Sequence, residues 1–390
     1  MKNVLLQLGY SSHRKLEAIA EFAKAHGWAI AFEDSSVLPQ GWRGDGVLMN
    51  LRARRPQLAY FAQKLAARGI PVVDLSISRP ELPFPRVVGD HRAIGVLAAE
   101  HLAERHFRHA AFFAKDWTNV ERLRLEGFSE NWPEEKPLAL VWRNECGAGE
   151  YDDWPALDAW LAEKLRAAPK PLALFAFNDS QAARVLNVAL SAGISVPEEL
   201  AILGVDDESI IVENQSIPLS SVRHDLRRLG RESAALLDRL MNGGAAPAKP
   251  ILIPPAGVSI RRSTDIVAAP TKELRKALTL VAQHIADDYG TKELAMDMGV
   301  SRATLCRMFS KGIGTTPSRE LLRQRLGRAK AMLGQGDAPI KAIAAECGFW
   351  DSAHLTNAFR IATGTTPKEY RLRAQAADGG AIAVSQQVKS

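Results

Sequence analysis

The last third of the chain repeats itself. Leu305, Phe309 and Gly314-Thr315-Thr316-Pro317 recur fifty residues later as Leu355, Phe359 and Gly364-Thr365-Thr366-Pro367. Each copy opens on a short apolar helix that ends in glycine, Leu294-Ala295 to Gly299 and Ile343-Ala344 to Gly348. A helix, a tight glycine turn and a second helix make a helix-turn-helix unit. Ser301 is placed to cap the second helix of the first copy, and Asp351 or Ser352 that of the other. Residues four apart share a helix face, so each Leu/Phe pair points to a core and the opposite face is left for a partner. Between the copies, residues 318–333 carry Arg319, Arg323, Arg325, Arg328 and Lys330 and read as one helix. Its length of about 25 Å suits a spacer that holds two helices about one turn of B-DNA apart, roughly 34 Å.

The charge distribution agrees. Residues 271–374 hold about 17 Lys and Arg against about 10 Asp and Glu, whereas residues 1–270 are close to neutral. A basic module on a neutral body is expected to meet a polyanion through that module alone, and double-stranded DNA is the partner a paired helix-turn-helix suggests.

A chain of 390 residues exceeds one ordinary core and fits two or three domains. Before residue 270 short strand patterns alternate with amphipathic helices. Strands are expected at 4–8, 28–32, 46–50, 70–75, 110–113, 138–142, 172–177 and 200–205, and a last one at 251–259. Helices are expected at 14–26, 57–68, 90–104, 122–131, 154–167 and 180–192. This rhythm predicts doubly wound parallel sheets in two lobes, with a ligand cleft at the strand ends. The expected division is a sensor at 1–262, a linker at 263–272 and a DNA-binding domain at 273–374. Within the last, helix-turn-helix units fall at about 291–312 and 340–362, and a disordered tail follows at 375–390.

Several classes are argued against. Cys146, Cys306 and Cys347 are odd in number and lack metal-ligand spacing, which speaks against disulfides or a metal site and for a reducing cytoplasm. The apolar run at the N-terminus is too short for a signal peptide and no stretch suits a membrane span, so a cytoplasmic protein with no membrane partner is expected. No P-loop, His-Glu-x-x-His or Ser/His/Asp order is present. The remaining enzymatic reading is a DNA-repair methyltransferase using Cys146. In Asn144-Glu145-Cys146-Gly147 that thiol has no neighbouring base, and the adjacent carboxylate opposes its ionisation. No enzyme and no cofactor are expected.

Two family resemblances sharpen the picture. Residues 274–373, through Glu293-Leu294-Ala295, Val300-Ser301-Arg302, Cys347-Gly348-Phe349 and Tyr370-Arg371, resemble the DNA-binding domain of the AraC family. By that resemblance Arg302, Ala303, Cys306 and Arg307 on one recognition helix, and Ser352, Ala353, Thr356 and Asn357 on the other, face DNA. Arg307 is suited to guanine and Asn357 to adenine. Arg302, Lys311, Arg360 and Lys368 are suited to phosphates. Trp350 departs from the pattern, where a small polar residue is usual. Residues 1–262 resemble the effector domain of the LacI/GalR family through three segments: Arg122-Leu123-Arg124-Leu125-Glu126-Gly127-Phe128, Ala176-Phe177-Asn178-Asp179 and Gly204-Val205-Asp206-Asp207-Glu208. The implied fold is a two-lobed, periplasmic-binding-protein-like α/β sensor followed by an all-α tandem helix-turn-helix domain.

The resemblance places Arg124, Asp206, Asn178 and the aromatic plate Trp154 at the ligand, with Asp90 and Arg14 as further candidates. Carboxylates, guanidinium and an aromatic face are what a sugar's hydroxyls and C–H surfaces require. The implied function is a transcription regulator, an activator of sugar catabolism genes. It implies a pentose such as D-xylose as effector, a homodimer, and RNA polymerase as partner of the activator. A different sugar or small molecule in the same architecture is the alternative.

Overall fold

The computed structural model describes residues 1–372 apart from 10–11, 34–37, 40, 52–54, 116, 143–152, 267, 269–270, 288 and 336–337. Cys146 and the tail at 375–390 therefore lie outside the described residues. Contacts divide the chain into two units, residues 1–102 with 108–265, and residues 103–107 with 266–390.

Among the described residues the first unit holds three sheets, of four, six and two strands. One runs β2-β1-β3-β4 in space and is parallel throughout, from β1 (Lys2–Gln7), β2 (Trp28–Phe32), β3 (Gly46–Met49) and β4 (Val72–Asp74). Helices α1 (His13–Ala25) and α2 (Pro56–Ala66) supply the crossovers. Strand β5 (Val87–Gly89) follows, tied to β4 by a parallel bridge between Asp74 and Arg86. Those two residues also form a buried ion pair, with Arg86 Nε 3.1 Å from Asp74 Oδ2. Two further N–H groups, from Leu51 and Ser76, donate to the same carboxylate, which is how a charge is kept so far from water.

Helix α3 (His91–Ala103) leads to the second sheet, of order β12-β10-β9-β8-β6-β7. Its elements are β6 (His109–Ala114), α4 (Asn119–Glu130), β7 (Leu138–Val141), α5 (Trp154–Ala167), β8 (Leu172–Ala176), α6 (Asp179–Ser191), β9 (Leu200–Val205), the short α7 (Ser209–Val212) and β10 (Ser220–His224). Strands β8 and β9 are buried at every position, which is why they read as unbroken apolar runs rather than alternating ones.

The chain then returns through α8 (Leu226–Met241), which packs on α1. The single strand expected at 251–259 is two strands. β11 (Ile251–Ile253) pairs with β5 and β12 (Pro255–Ser259) pairs antiparallel with β10, so the chain changes sheets at Pro254. A proline has no N–H to continue a ladder, which suits it to that crossing. Arg262–Thr264 forms a 3-10 turn whose Ser263 and Thr264 are buried; Ser263 Oγ donates to Ile202 O and receives the Ser220 N–H.

The second unit is helical beyond residue 271: α9 (Lys272–Gln283), α10 (Thr291–Asp297), α11 (Arg302–Ile313), α12 (Pro317–Gln335), α13 (Ile340–Glu346) and α14 (Ser352–Thr363). Leu305 and Phe309 are buried in one core with α9 and α10, and Leu355 and Phe359 in another with α13. Helix α12 serves both, placing Leu321 in the first and Leu326, Ala329 and Leu333 in the second. Among its cations, Arg325 donates to the carbonyls of Ile285 and Asp287 and so ties α12 to the segment after α9, while Arg323 pairs with Glu320 within α12 itself.

Among the described residues no helix is long and apolar enough to cross a membrane.

Candidate functional site

The carboxyl ends of β5, β8, β9 and β10 gather a cluster of ionisable side chains. Arg124 is carried by α4, whose position is set by close packing on α3. A Cβ at Gly95 would meet Arg124 O at 2.1 Å, and one at Gly127 would meet Arg92 O at 2.1 Å. The Arg124 side chain is 3% exposed. Its Nη1 donates to Phe177 O, its guanidinium lies 4.6 Å from the Phe177 ring centroid, and its Nε is buried with no hydrogen-bond partner. Burial pulls its pKa down, against the charges of Asp206, Glu121 and Asp179.

Asp206 follows β9 with φ of 106°, a backbone conformation that residues other than glycine seldom adopt. Its Oδ1 lies 3.4 Å from His224 Nδ1. Burial pushes this carboxyl up, but the His224 hydrogen bond and the charges of Arg124, His224 and Lys15 outweigh it and hold it below the usual carboxylate range. Arg14, on α1 beside the other sheet, donates through Nη2 to the carbonyls of Asp206 at 2.5 Å and Asp207 at 2.9 Å. Its link to this cluster is therefore through backbone, with Glu208 Oε1 3.7 Å away.

Two predicted residues are committed to helix caps. Asn178 Oδ1 accepts the Gln181 N–H and starts α6, and Asp90 Oδ1 accepts the Ala93 N–H at the start of α3. Each keeps its other side-chain polar atom for further use. Trp154 stands 60% exposed at the start of α5, with the Arg184 guanidinium 3.9 Å over its ring. Its recorded contact is thus with Arg184 rather than with the Arg124 and Asp206 groups.

Three members of the cluster escaped sequence reasoning. His224 is 8% exposed with an unpartnered Nε2, and it fits only because residue 89 is glycine, whose added Cβ would lie 2.1 Å from that nitrogen. His91, 5.9 Å from it edge-on, has a buried Nδ1 without a partner. Burial, then Arg124 and His224, hold the His91 pKa well below 6.5. Asp179 is 1% exposed, accepting from Ser221 Oγ and the Glu208 N–H. Burial and the nearby Asp206 charge push its carboxyl up to about 8, so it is a neutral acid at pH 7. The available signal was position: each lies within three residues of the carboxyl end of a strand, where open α/β sheets bind ligands.

Asp207, the second half of the Asp-Asp pair, is structural: it accepts from Ser259 Oγ and pairs with Arg261 at 2.8 Å. Among the described residues no group of His, Cys, Asp and Glu could hold a metal.

In the helical unit, Ser301 Oγ accepts the Thr304 N–H and Asp351 Oδ1 the His354 N–H, capping α11 and α14. Of the predicted DNA-facing residues, Arg302, Ala303, Arg307, Lys311, Ala353, Asn357, Arg360 and Lys368 are exposed, while Cys306, Ser352 and Thr356 are half-buried. The Thr356 hydroxyl donates to Ser352 O within its own helix.

Comparison with known proteins follows the same division. The family model for a periplasmic binding protein-like domain matches residues 99–264, and that for a helix-turn-helix domain matches residues 294–373. The xylose operon regulatory protein of Escherichia coli strain K12 is 28% identical over 337 residues, 85% of this chain and 84% of that protein. A solved structure of the xylose-binding transcription activator xylR superposes with a TM-score of 0.59 at 26% identity, covering 95% of this chain and 97% of that one. A LacI-family regulatory protein from Chloroflexus aggregans shares the α/β fold, with a TM-score of 0.53 at 22% identity over 67% of this chain and 98% of its own.

The AraC label read from the duplicated helices is corrected by these matches. Paired helix-turn-helix units do not by themselves fix a family, because one fold is shared by proteins of different function. Here the helix-turn-helix domain is joined to a periplasmic binding protein-like domain at residues 99–264. The chain combines a periplasmic binding protein-like domain with a helix-turn-helix domain, and along most of its length it is similar to transcription regulators.

Proposed function

We propose that the regulator senses a monosaccharide, a pentose such as D-xylose before others, and that occupation of the sensor changes transcription of sugar catabolism genes, as an activator. The observation that carries the reading is the Arg124, Asp206, His224 and His91 cluster at the strand ends. It joins an ionised carboxylate, a guanidinium and imidazole nitrogens whose hydrogen-bonding capacity is buried and unused. Buried polar atoms without partners are unfavourable by about 1–3 kcal/mol each, so a ligand rich in hydroxyl groups is stabilised by supplying them. Arg124, Asp206, Asn178 and Asp90 are the proposed contacts, with Arg14 holding the Asp206 loop and Trp154 as an aromatic plate. D-xylose is favoured because proteins named for xylose align with this chain over most of its length.

On the DNA side, Arg307 and Asn357 are the proposed base readers, and Arg302, Lys311, Arg360 and Lys368 the phosphate contacts, in a homodimer that meets RNA polymerase. The test is calorimetric titration of the full-length protein with a panel of pentoses and hexoses. Binding that Arg124→Met and Asp206→Asn each abolish supports the reading. Absence of heat with every sugar refutes the effector class and leaves the DNA assignment standing.

A further inference from the structure

The two helix-turn-helix units are not equal in length at their turns. In the first, Gly299 (φ 65°) is followed by Val300 and then by the capping Ser301. In the second, Gly348 (φ 71°) is followed by Phe349, Trp350 and only then by the capping Asp351. Val300 and Phe349 do the same task, each packing into the core of its own unit. Trp350 is the extra residue. The core gains nothing from it: its side chain is 90% exposed, whereas Phe349 beside it is 5% exposed and edge-on to His354. Tryptophan is among the most buried side chains on average, so an indole almost wholly in water is unfavourable unless a partner covers it.

Its surroundings say which partner. Trp350 immediately precedes the cap of α14, and the second helix of a helix-turn-helix presents its N-terminal end to base edges in the major groove. Along one face of α14 the exposed positions that follow are Ala353, Asn357 and Arg360, small, amide and cationic, which suits a polyanionic duplex; His354 and Ile361 are exposed on the neighbouring stripe. The 271–374 region is basic as a whole. An apolar plate beside a groove-reading helix has one sequence-specific target there, the C5-methyl group of thymine.

We propose that Trp350 is a specificity-determining residue of the DNA interface, covering a thymine methyl at the base pair beside those reached by α14. The proposal rests on α14 entering the major groove. It makes the two units read differently, because the first has no residue at this place.

The test uses full-length protein and a pool of duplexes with a randomised central segment, selected in parallel by the wild type, Trp350→Ala and Trp350→Phe. The wild type is expected to enrich a thymine at the edge of one half-site; Trp350→Ala loses that preference and keeps the rest, and Trp350→Phe retains most of it. On the selected duplex, uracil in place of that thymine removes one methyl and weakens the wild type about fourfold while leaving Trp350→Ala unchanged. Because the indole lies outside the core, the variant's melting temperature is expected to match the wild type and serves as the folding control. Identical selected sequences and equal affinities for wild type and Trp350→Ala overturn the proposal, as does a uniform loss of affinity on all duplexes, which marks a backbone contact. Unchanged DNA binding with lost promoter activation overturns it too, and assigns Trp350 to a protein partner. A wild type that enriches no sequence overturns the reading of α14 along with it.

Discussion

Replacing Asp179 by asparagine isolates the buried neutral acid beside Asp206. The carboxyl stands at about 8 in the folded chain against an ordinary 3.8, with burial the largest cause and the Asp206 charge the next. A folded-state pKa above the unfolded one means that the folded chain holds a proton the unfolded chain releases. Stability from this group is therefore full below about pH 4 and is lost as pH rises towards 8, by about 1.4 kcal/mol per pH unit. Between about pH 6 and about pH 7.5 the loss is about 2 kcal/mol, or roughly 4–8 °C in melting temperature for a body of this size. Asp74, pushed up to about 6 by its own burial, titrates mostly below that window. Asparagine copies the shape of the neutral acid, with an oxygen for the Glu208 N–H and an amide toward Ser221 Oγ, and it does not titrate. The assay is thermal unfolding followed by tryptophan fluorescence, because seven of the eight tryptophans precede residue 265 and report on the sensor. The wild type should melt lower at the higher pH, and Asp179→Asn should lose most of that difference. An asparagine variant with the wild-type pH slope refutes a protonated Asp179.

Gly348→Ala and Gly299→Ala form a matched pair: both positions have positive φ, but a Cβ at 348 would meet Ile285 O at 2.3 Å whereas one at 299 meets nothing within 4 Å. Urea unfolding of the full-length protein should show a loss of about 1 kcal/mol for Gly299→Ala and clearly more for Gly348→Ala; equal losses contradict the packing described here. Gly89→Ala, which drives a methyl into His224 Nε2, should weaken effector binding measured by calorimetry at least tenfold, and unchanged binding removes His224 from the site. Lys368→Ala should weaken binding to all duplexes alike and reduce the salt slope by about one, whereas Asn357→Ala should relax the choice of base at one position, by about 1–3 kcal/mol; selection and salt titration separate the two.

How much of this was legible depended on whether the signal was local. The helix-turn-helix repeat was legible because Leu305/Phe309 and Leu355/Phe359 keep helical spacing, and each pair is buried in its own core. The central strands β8 and β9 were equally plain as apolar runs. Strand β5 offers only Val87 and Val88 between Pro85 and Gly89, whereas β4, equally short, sits in the longer apolar run of 70–75. The crossing at Pro254 was invisible for another reason: Ile251–Ile253 and Pro255–Ser259 look continuous, and only their partners β5 and β10 show that they belong to different sheets. The site divides the same way. Arg124 and Asp206 stand in recognisable segments, but His91 and His224 come together from positions 133 residues apart, through an edge-on contact no pattern encodes. Trp154 has a neighbour that no local pattern shows, since the Arg184 guanidinium 3.9 Å from its ring comes from α6.

The central claim is that one chain couples a sensor to a DNA reader, and coupling between two binding sites must be reciprocal. The direct measurement is a pair of titrations on the full-length protein: a promoter duplex by fluorescence anisotropy with and without saturating D-xylose, and D-xylose by calorimetry with and without the duplex. The account predicts that the sugar changes DNA affinity by about fivefold or more, and that DNA changes sugar affinity by the same factor. Both ligands binding with neither affecting the other contradicts it.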